Sequence, residues 1–195
     1  MKINNNIFHR EIRSYENKSI KHLLYNNDNI ELINIYTDGS FRYTKKHIAG
    51  YAFAIERVDH FYIKNGYTII GKNKQKLGAL YAETLAIRKA IEYAYKKNYR
   101  NICIYTDNKY IINTLNANVE YINPILNSLI NVIRNFLCLY IDFRLNIKYI
   151  QGHSKIIGNE LANLYAKKAR KKDLITKSID KYKINSYIKE LNYVE

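Results

Sequence analysis

The sequence predicts an α/β protein: a five-stranded mixed sheet, an antiparallel meander joined to parallel strands, with helices on its faces. Three observations carry that expectation. Three runs rich in β-branched and aromatic residues precede the first helical segment, joined by connections short enough for hairpins. After that helical segment comes "NICIYTD", almost wholly apolar, as strands in the buried parallel part of a sheet are. A fifth strand-like run lies between two later helical segments, giving the order β-β-β-α-β-α-α-β-α. A strand that arrives after a helix can lie parallel to an earlier one through a right-handed crossover.

Each element has its own reason. "LINIYTD" begins the strand pattern at Ile33, after a polar, Asn-rich stretch in which a short helix is the most that can form. "IAGYAFAIERV" and "HFYIKNGYTIIG" follow, the first reached through the loop "GSFRYTKKH" and the second through the tight turn "VDH". Residues 79–97 change period: Leu80, Ile87, Ile91 and Ala94, with Ala86 and Ala90, form one apolar helical face. "NICIYTD" is the fourth strand, and "NKYIINTL" a short helix. "NPILNSLINVIRNFLCLY" is a longer helix, with Asn123 as N-cap and Pro124 in the first helical position. "FRLNIKYIQG" supplies the fifth strand and "GNELANLYAKKARKK" the last helix. The expected organisation is an extension over 1–30, one domain over 31–171 and a basic tail over 172–195, with a little helix at "NSYIKEL".

Composition narrows the class. With 195 residues and 47% hydrophobic content the chain can bury a core, which argues against disorder throughout. The net charge of +15 favours polyanionic partners, although the excess of Lys, Asn and Ile also fits an AT-rich coding bias. Cys103 and Cys138 lie in apolar runs without metal-ligand spacing and read as small core residues in a reducing compartment. No apolar run of about 18 residues suggests a membrane span, and the start "MKINNNIFHREIR" has no signal-peptide core. A soluble intracellular protein, cytoplasmic or nuclear, is expected.

The tetrapeptide "IYTD" ends two strands, at 35–38 and 104–107. If the first and fourth strands pair in parallel, Asp38 and Asp107 fall at the same end of neighbouring strands, about 4.8 Å apart. Carboxylates that close repel unless one takes a proton or a cation lies between them. Hard divalent cations take oxygen ligands, and two of them can activate water and steady a leaving oxygen in phosphodiester cleavage. Glu83, four residues before Ile87 on the helix, is the third acid able to reach the strand ends. Each acid also has an ordinary reading: Asp38 before Gly39 as a turn, Asp107 as a helix cap, Glu83 as a solvated surface group.

The blocks "YTDGS", "AETLAI", "YTDN" and "GHSKIIGNELAN", in this order and spacing from about 31 to 171, resemble a type 1 ribonuclease H domain of the kind also found in retroelements. The last block is the most specific, with Gly152, His153, Gly158, Asn159, Glu160 and Ala162. The resemblance implies a ribonuclease H-like mixed sheet and divalent-metal-dependent hydrolysis of RNA paired to DNA, leaving 5′-phosphate and 3′-hydroxyl ends. Two Mg²⁺ ions, or Mn²⁺, are implied as cofactors, with Asp38, Glu83 and Asp107 as ligands. His153 corresponds to a loop histidine that helps proton transfer or product release. Ser40, Asn108, Lys109 and Tyr110 are the implied nucleic-acid contacts, with Tyr43 also well placed.

The family's fourth acid falls on Asn163, which offers an oxygen but no charge. "GALYAE" before Glu83 lacks the Asn pair that reads the minor groove of a hybrid, a recognition that depends on 2′-hydroxyls. A monomeric hybrid-cleaving endonuclease is therefore set against a degenerate relative that binds nucleic acid and cleaves weakly. A junction resolvase on the same fold is a third reading, and the "GHS" block argues against it. Lys167, Lys168, Arg170, Lys171 and Lys172 either track phosphates or form a solvated helix face.

Overall fold

The computed structural model describes residues 31–42, 47–71, 77–116, 123–139 and 143–184. The strands are β1 (Ile33–Phe41), β2 (Ile48–Glu56), β3 (His60–Ile69), β4 (Asn101–Thr106), β5 (Arg144–Tyr149) and β6 (Thr176–Asp180). The helices are α1 (Gly78–Lys96), α2 (Lys109–Asn116), α3 (Pro124–Leu139) and α4 (Ile157–Arg170). The strands form one sheet in the order β5-β4-β1-β2-β3-β6. The pairs β1–β2, β2–β3 and β3–β6 are antiparallel, while β1–β4 and β4–β5 are parallel.

The mixed sheet matches the sequence expectation with two corrections. It has six strands, not five: β6 pairs with β3, from Lys64↔Thr176 to His60↔Asp180, within the segment read as a basic tail. Its five residues, TKSID, carry little β signal of their own, and Lys177, Ser178 and Ile179 find strong pairing partners in Ile63, Tyr62 and Phe61. An adjoining edge, rather than local preference, makes this segment a strand. The second correction concerns β1, which continues through Gly39 and Ser40 to Phe41 instead of ending at Asp38. The N-terminal extension, Tyr43 and "NSYIKEL" lie outside the described residues.

Two apolar clusters cover the two faces of the sheet. On one face Ile33, Ile35, Phe53, Ile55, Ile102 and Ile104 pack with Ile87 and Ile91 of α1 and Leu126, Leu129 and Ile133 of α3. The apolar face read from 79–97 is the buried one: Ala86, Ile87, Ala90, Ile91 and Ala94 are fully enclosed. On the other face Ala52, Ala54, Phe61, Ile63 and Ile179 pack with Leu161, Tyr165 and Ala166 of α4. Asn123 caps α3 as expected, its Oδ1 accepting from the Ile125 N–H at 2.9 Å. Cys103 is a buried free thiol. No helix of the described residues is long and apolar enough to cross a membrane.

Candidate metal centre

The two copies of "IYTD" lie side by side. Parallel pairing of β1 with β4 matches Ile35 to Ile104 and Tyr36 to Tyr105, so the copies run in register. The Tyr36 and Tyr105 rings stack at 5.0 Å with their planes 20° apart. Thr37 and Thr106 are both fully buried. Thr37 Oγ1 donates to the Tyr105 carbonyl at 3.1 Å, and Thr106 Oγ1 accepts from the Asn108 N–H at 3.2 Å. These hydroxyls lock the last step of each strand, and Asp38 and Asp107 follow at matching levels. The sequence reading overlooked both threonines, although the repeat that flagged the aspartates contains them.

Neither aspartate is used as its ordinary reading proposed. Gly39 pairs with Tyr51 inside β1 and has no positive φ, so Asp38 opens no turn there. The helix after Asp107 is capped by the next residue: Asn108 Oδ1 accepts from the Ile111 N–H at 3.1 Å. That leaves the Asp107 carboxylate free of capping duty.

Glycine at 39 has a different purpose. A Cβ there would collide with the backbone of Ala82 and Glu83, so α1 rests directly on β1 at this point. Close contact brings Glu83 to the strand end beside Asp38. Opposite, Ile150 N–H donates to the Thr106 carbonyl at 3.0 Å, which draws the chain after β5 past Asp107. A Cβ on Gly152 would lie 2.8 Å from Asp107 Oδ2. Only glycine passes that close, and the next residue is His153.

Oxygens of Asp38, Glu83 and Asp107 consequently all lie within 4.8 Å of one another, the one such group of His, Cys, Asp and Glu side chains among the described residues. Burial, followed by the charge of Asp107, pushes the Asp38 carboxyl up to about 7. Burial, followed by the charges of Asp38 and Asp107, raises Glu83 well above the ordinary carboxyl range. Both shifts are upward, so the crowded pair keeps a shared proton to higher pH than an isolated carboxyl would. Part of Glu83 is solvent-exposed, but its Oε2 is enclosed without a hydrogen-bond partner. Crowded buried carboxylates and an orphaned oxygen are the features a hard cation would satisfy. The three acids could hold such an ion.

The remaining expected residues are distributed around this cluster. Asn163 is half-buried on α4, one turn after buried Asn159 and one turn before Lys167, whose charge lowers the Asp38 pKa. His153 is exposed, with a left-handed backbone at φ 55°. Lys109 and Tyr110 are exposed on the first turn of α2. Asn108 and Ser40 are already engaged, Asn108 as a cap and Ser40 as the acceptor of a bond from Arg170 Nη1 at 3.1 Å. The role of Lys167 beside Asp38 was not legible from the sequence, where it was one of several lysines.

The family model for RNase H matches residues 30–171. The chain belongs to the RNase H family. Solved RNase H structures resemble it in fold. RNase H1 from the halophilic archaeon Halobacterium salinarum NRC-1 has 20% sequence identity and a TM-score of 0.56, the match covering 73% of this chain and 99% of that one. LC11-RNase H1, isolated from compost and solved in complex with an RNA/DNA hybrid, has 19% identity and a TM-score of 0.52, covering 70% and 98%. Prototype foamy virus protease–reverse transcriptase has 21% identity and a TM-score of 0.52, covering 71% of this chain and 20% of that one. No curated protein sequence matches the chain. This RNase H domain therefore carries the family fold, with three acids converging where its two central parallel strands end.

Proposed function

We propose that this RNase H family member is a divalent-metal-dependent endonuclease that hydrolyses the RNA strand of RNA/DNA hybrids. The observation that carries the reading is the convergence of Asp38, Glu83 and Asp107 within 4.8 Å. A cluster held that tightly, with Asp38 pushed up to about 7, is costly unless cations share it. Asp38, Glu83 and Asp107 would hold two Mg²⁺ or Mn²⁺ ions, with Asn163 adding a neutral oxygen. Bound there, such ions supply Lewis-acid polarisation of the phosphoryl group and a nucleophilic water at neutral pH.

The chain's own residues do the rest. Loading the site requires the proton shared by Asp38 and Glu83 to leave. His153, one residue beyond the glycine that passes Asp107, stands at the rim and can take or return a proton as product departs. Lys109 and Tyr110, exposed at the start of α2, contact the nucleic acid, with Asn108 beside them and Ser40 acting through the Arg170 guanidinium that its hydroxyl holds. The solved complex of an RNase H1 with an RNA/DNA hybrid supports this choice of substrate class. The working unit is a soluble intracellular monomer.

One observation favours a second reading, a domain that binds nucleic acid and cleaves weakly: position 163 carries Asn and no charge. A labelled hybrid, incubated with the protein and Mg²⁺ or Mn²⁺ and compared with DNA duplex and single-stranded RNA, separates the two. Cleavage confined to the RNA of the hybrid supports the nuclease. Binding without cleavage under either metal replaces it with the second reading. In the same assay Asn163→Asp should lower the metal concentration for half-maximal rate several-fold, because a charge is added to the ligand set. A large loss of rate would show the amide to be adapted to this site.

A further inference from the structure

Positive charge gathers near the acidic cluster, and none of it is joined to a carboxylate in an ion pair among the described residues. Ser40, two residues after Asp38 on the same side of β1, is buried, and its Oγ accepts a hydrogen bond from Arg170 Nη1 at 3.1 Å. That bond carries the guanidinium from the last turn of α4 across to β1. Arg42, two residues further along, is exposed, and its charge, added to the effect of burial, lowers the Arg170 pKa. One turn before Arg170 on the same helix stands Lys167, exposed. The ion pairs of the described residues join Arg57, Arg88, Lys89, Lys181 and Lys183 to acids, and His60 to Asp59; Arg42, Lys167 and Arg170 take part in none.

A helix C-terminus favours cations, which accounts for Lys167 and Arg170 being on that turn. It does not account for Arg42, which follows the end of β1 at Phe41, nor for two guanidinium groups held near each other. Like charges brought together are unfavourable in isolation and become favourable around an anion. Nor does coding bias explain the arrangement, because bias towards Lys does not direct an Arg to a particular serine.

We infer that Arg42, Arg170 and Lys167 form a phosphate site that grips the nucleic-acid backbone one or two nucleotides from the bond held at the three acids. The inference rests on the nuclease reading for the identity of that backbone. Distance supports it: two strand residues span roughly 6.7 Å. One strand of a duplex presents a phosphate about every 3.4 Å of its axis. A strand with one phosphate at Asp38 thus brings another to the level of Ser40 and Arg170.

Fluorescence anisotropy with a labelled RNA/DNA hybrid and a labelled DNA duplex, in EDTA and over a range of salt, tests the site without any need for cleavage. Each of Arg42→Gln and Arg170→Gln should weaken binding to both duplexes about three- to tenfold at low salt. Each should also reduce the slope of log affinity against log salt by about 0.9, the value for one lost phosphate contact. Arg170→Lys should keep most of the slope. Arg42 is exposed, so its substitution reads the contact without disturbing the fold. Wild-type affinity and slope in both glutamine variants would overturn the phosphate site and leave the nuclease reading standing. A wild-type chain that binds neither duplex in EDTA would overturn the phosphate site, and cleavage of the hybrid with Mg²⁺ or Mn²⁺ would still decide the nuclease reading.

Discussion

The sheet has two unlike faces. Towards α1 and α3 it presents Ile33, Ile35, Phe53, Ile55, Ile102 and Ile104, and its cohesion is almost entirely apolar. Towards α4 it presents small alanines at 52 and 54 with Tyr36, and side-chain hydrogen bonds accompany the apolar packing there. Tyr36 Oη and Asn34 Nδ2 both donate to Glu56 Oε2, at 3.2 and 3.3 Å, while Lys181 reaches Oε1 at 3.1 Å. Asn65, also buried, donates to the carbonyls of Tyr165 and Asp173 at 2.9 Å and accepts from the Ile175 N–H at 2.6 Å. The acidic cluster lies on the seam. Asp38 alternates onto the α4 face with Tyr36 and Ser40, while Glu83 arrives from α1 past Gly39. An apolar face can hold a helix in place, but only a polar one can leave charged groups near the reaction, and this site draws on both.

The most severe test of that division is Glu83→Gln. Cleavage of hybrid should fall by on the order of a thousandfold or more, about 4 kcal/mol of barrier. Thermal stability without metal should rise at neutral pH, because Glu83 must keep in the fold a proton that the unfolded chain releases, and an amide need not. Activity near wild type would remove Glu83 from the centre. Next in size is the apolar face: Ile35→Ala, at a fully buried position, should cost about 2–5 kcal/mol in chemical denaturation. A loss below 1 kcal/mol would deny that this face dominates stability.

Acidity gives a third test at the seam. An unfolded Asp titrates near 3.9, and the folded metal-free Asp38 titrates at about 7. Between those values the native state holds a proton that the unfolded state has released, so stability falls as pH rises through the window. Melting in EDTA at pH 5 and 7.5 should show a decline on the order of 1–3 kcal/mol for wild type, and a smaller one for Asp38→Asn. Equal declines in the two proteins would contradict the shift. The smallest effect is expected on the α4 face, where Tyr36→Phe removes one of three bonds to Glu56 and should cost roughly 1 kcal/mol. A cost equal to that of Ile35→Ala would erase the contrast between the faces.

Much of this was legible in the chain. Alternation and helical period placed β1 to β5 and all four helices, since each has enough apolar residues to show its repeat. β6 was not, because five residues with Lys, Ser and Asp become a strand only beside the open edge of β3. Of the site, the three acids were visible through the repeat and the helical spacing. The capping by Asn108, the passages at Gly39 and Gly152 and the reach of Arg170 to Ser40 were not, because each joins residues far apart in sequence or turns on a choice between neighbours.

The residues alone determined which chemistry was available: two identical strand ends, one acid on an amphipathic helix, a glycine- and histidine-bearing block, and Asn where a fourth acid is expected. Those are local properties, written in side-chain type and period. Tertiary structure decided that the two aspartates share a register, that Glu83 meets them, and that the charge of Lys167 reaches Asp38. Register and approach depend on how whole faces pack, and electrostatic burdens exist only once burial and neighbours are set. A sequence records the charges, but only the fold brings them close enough to act on one another.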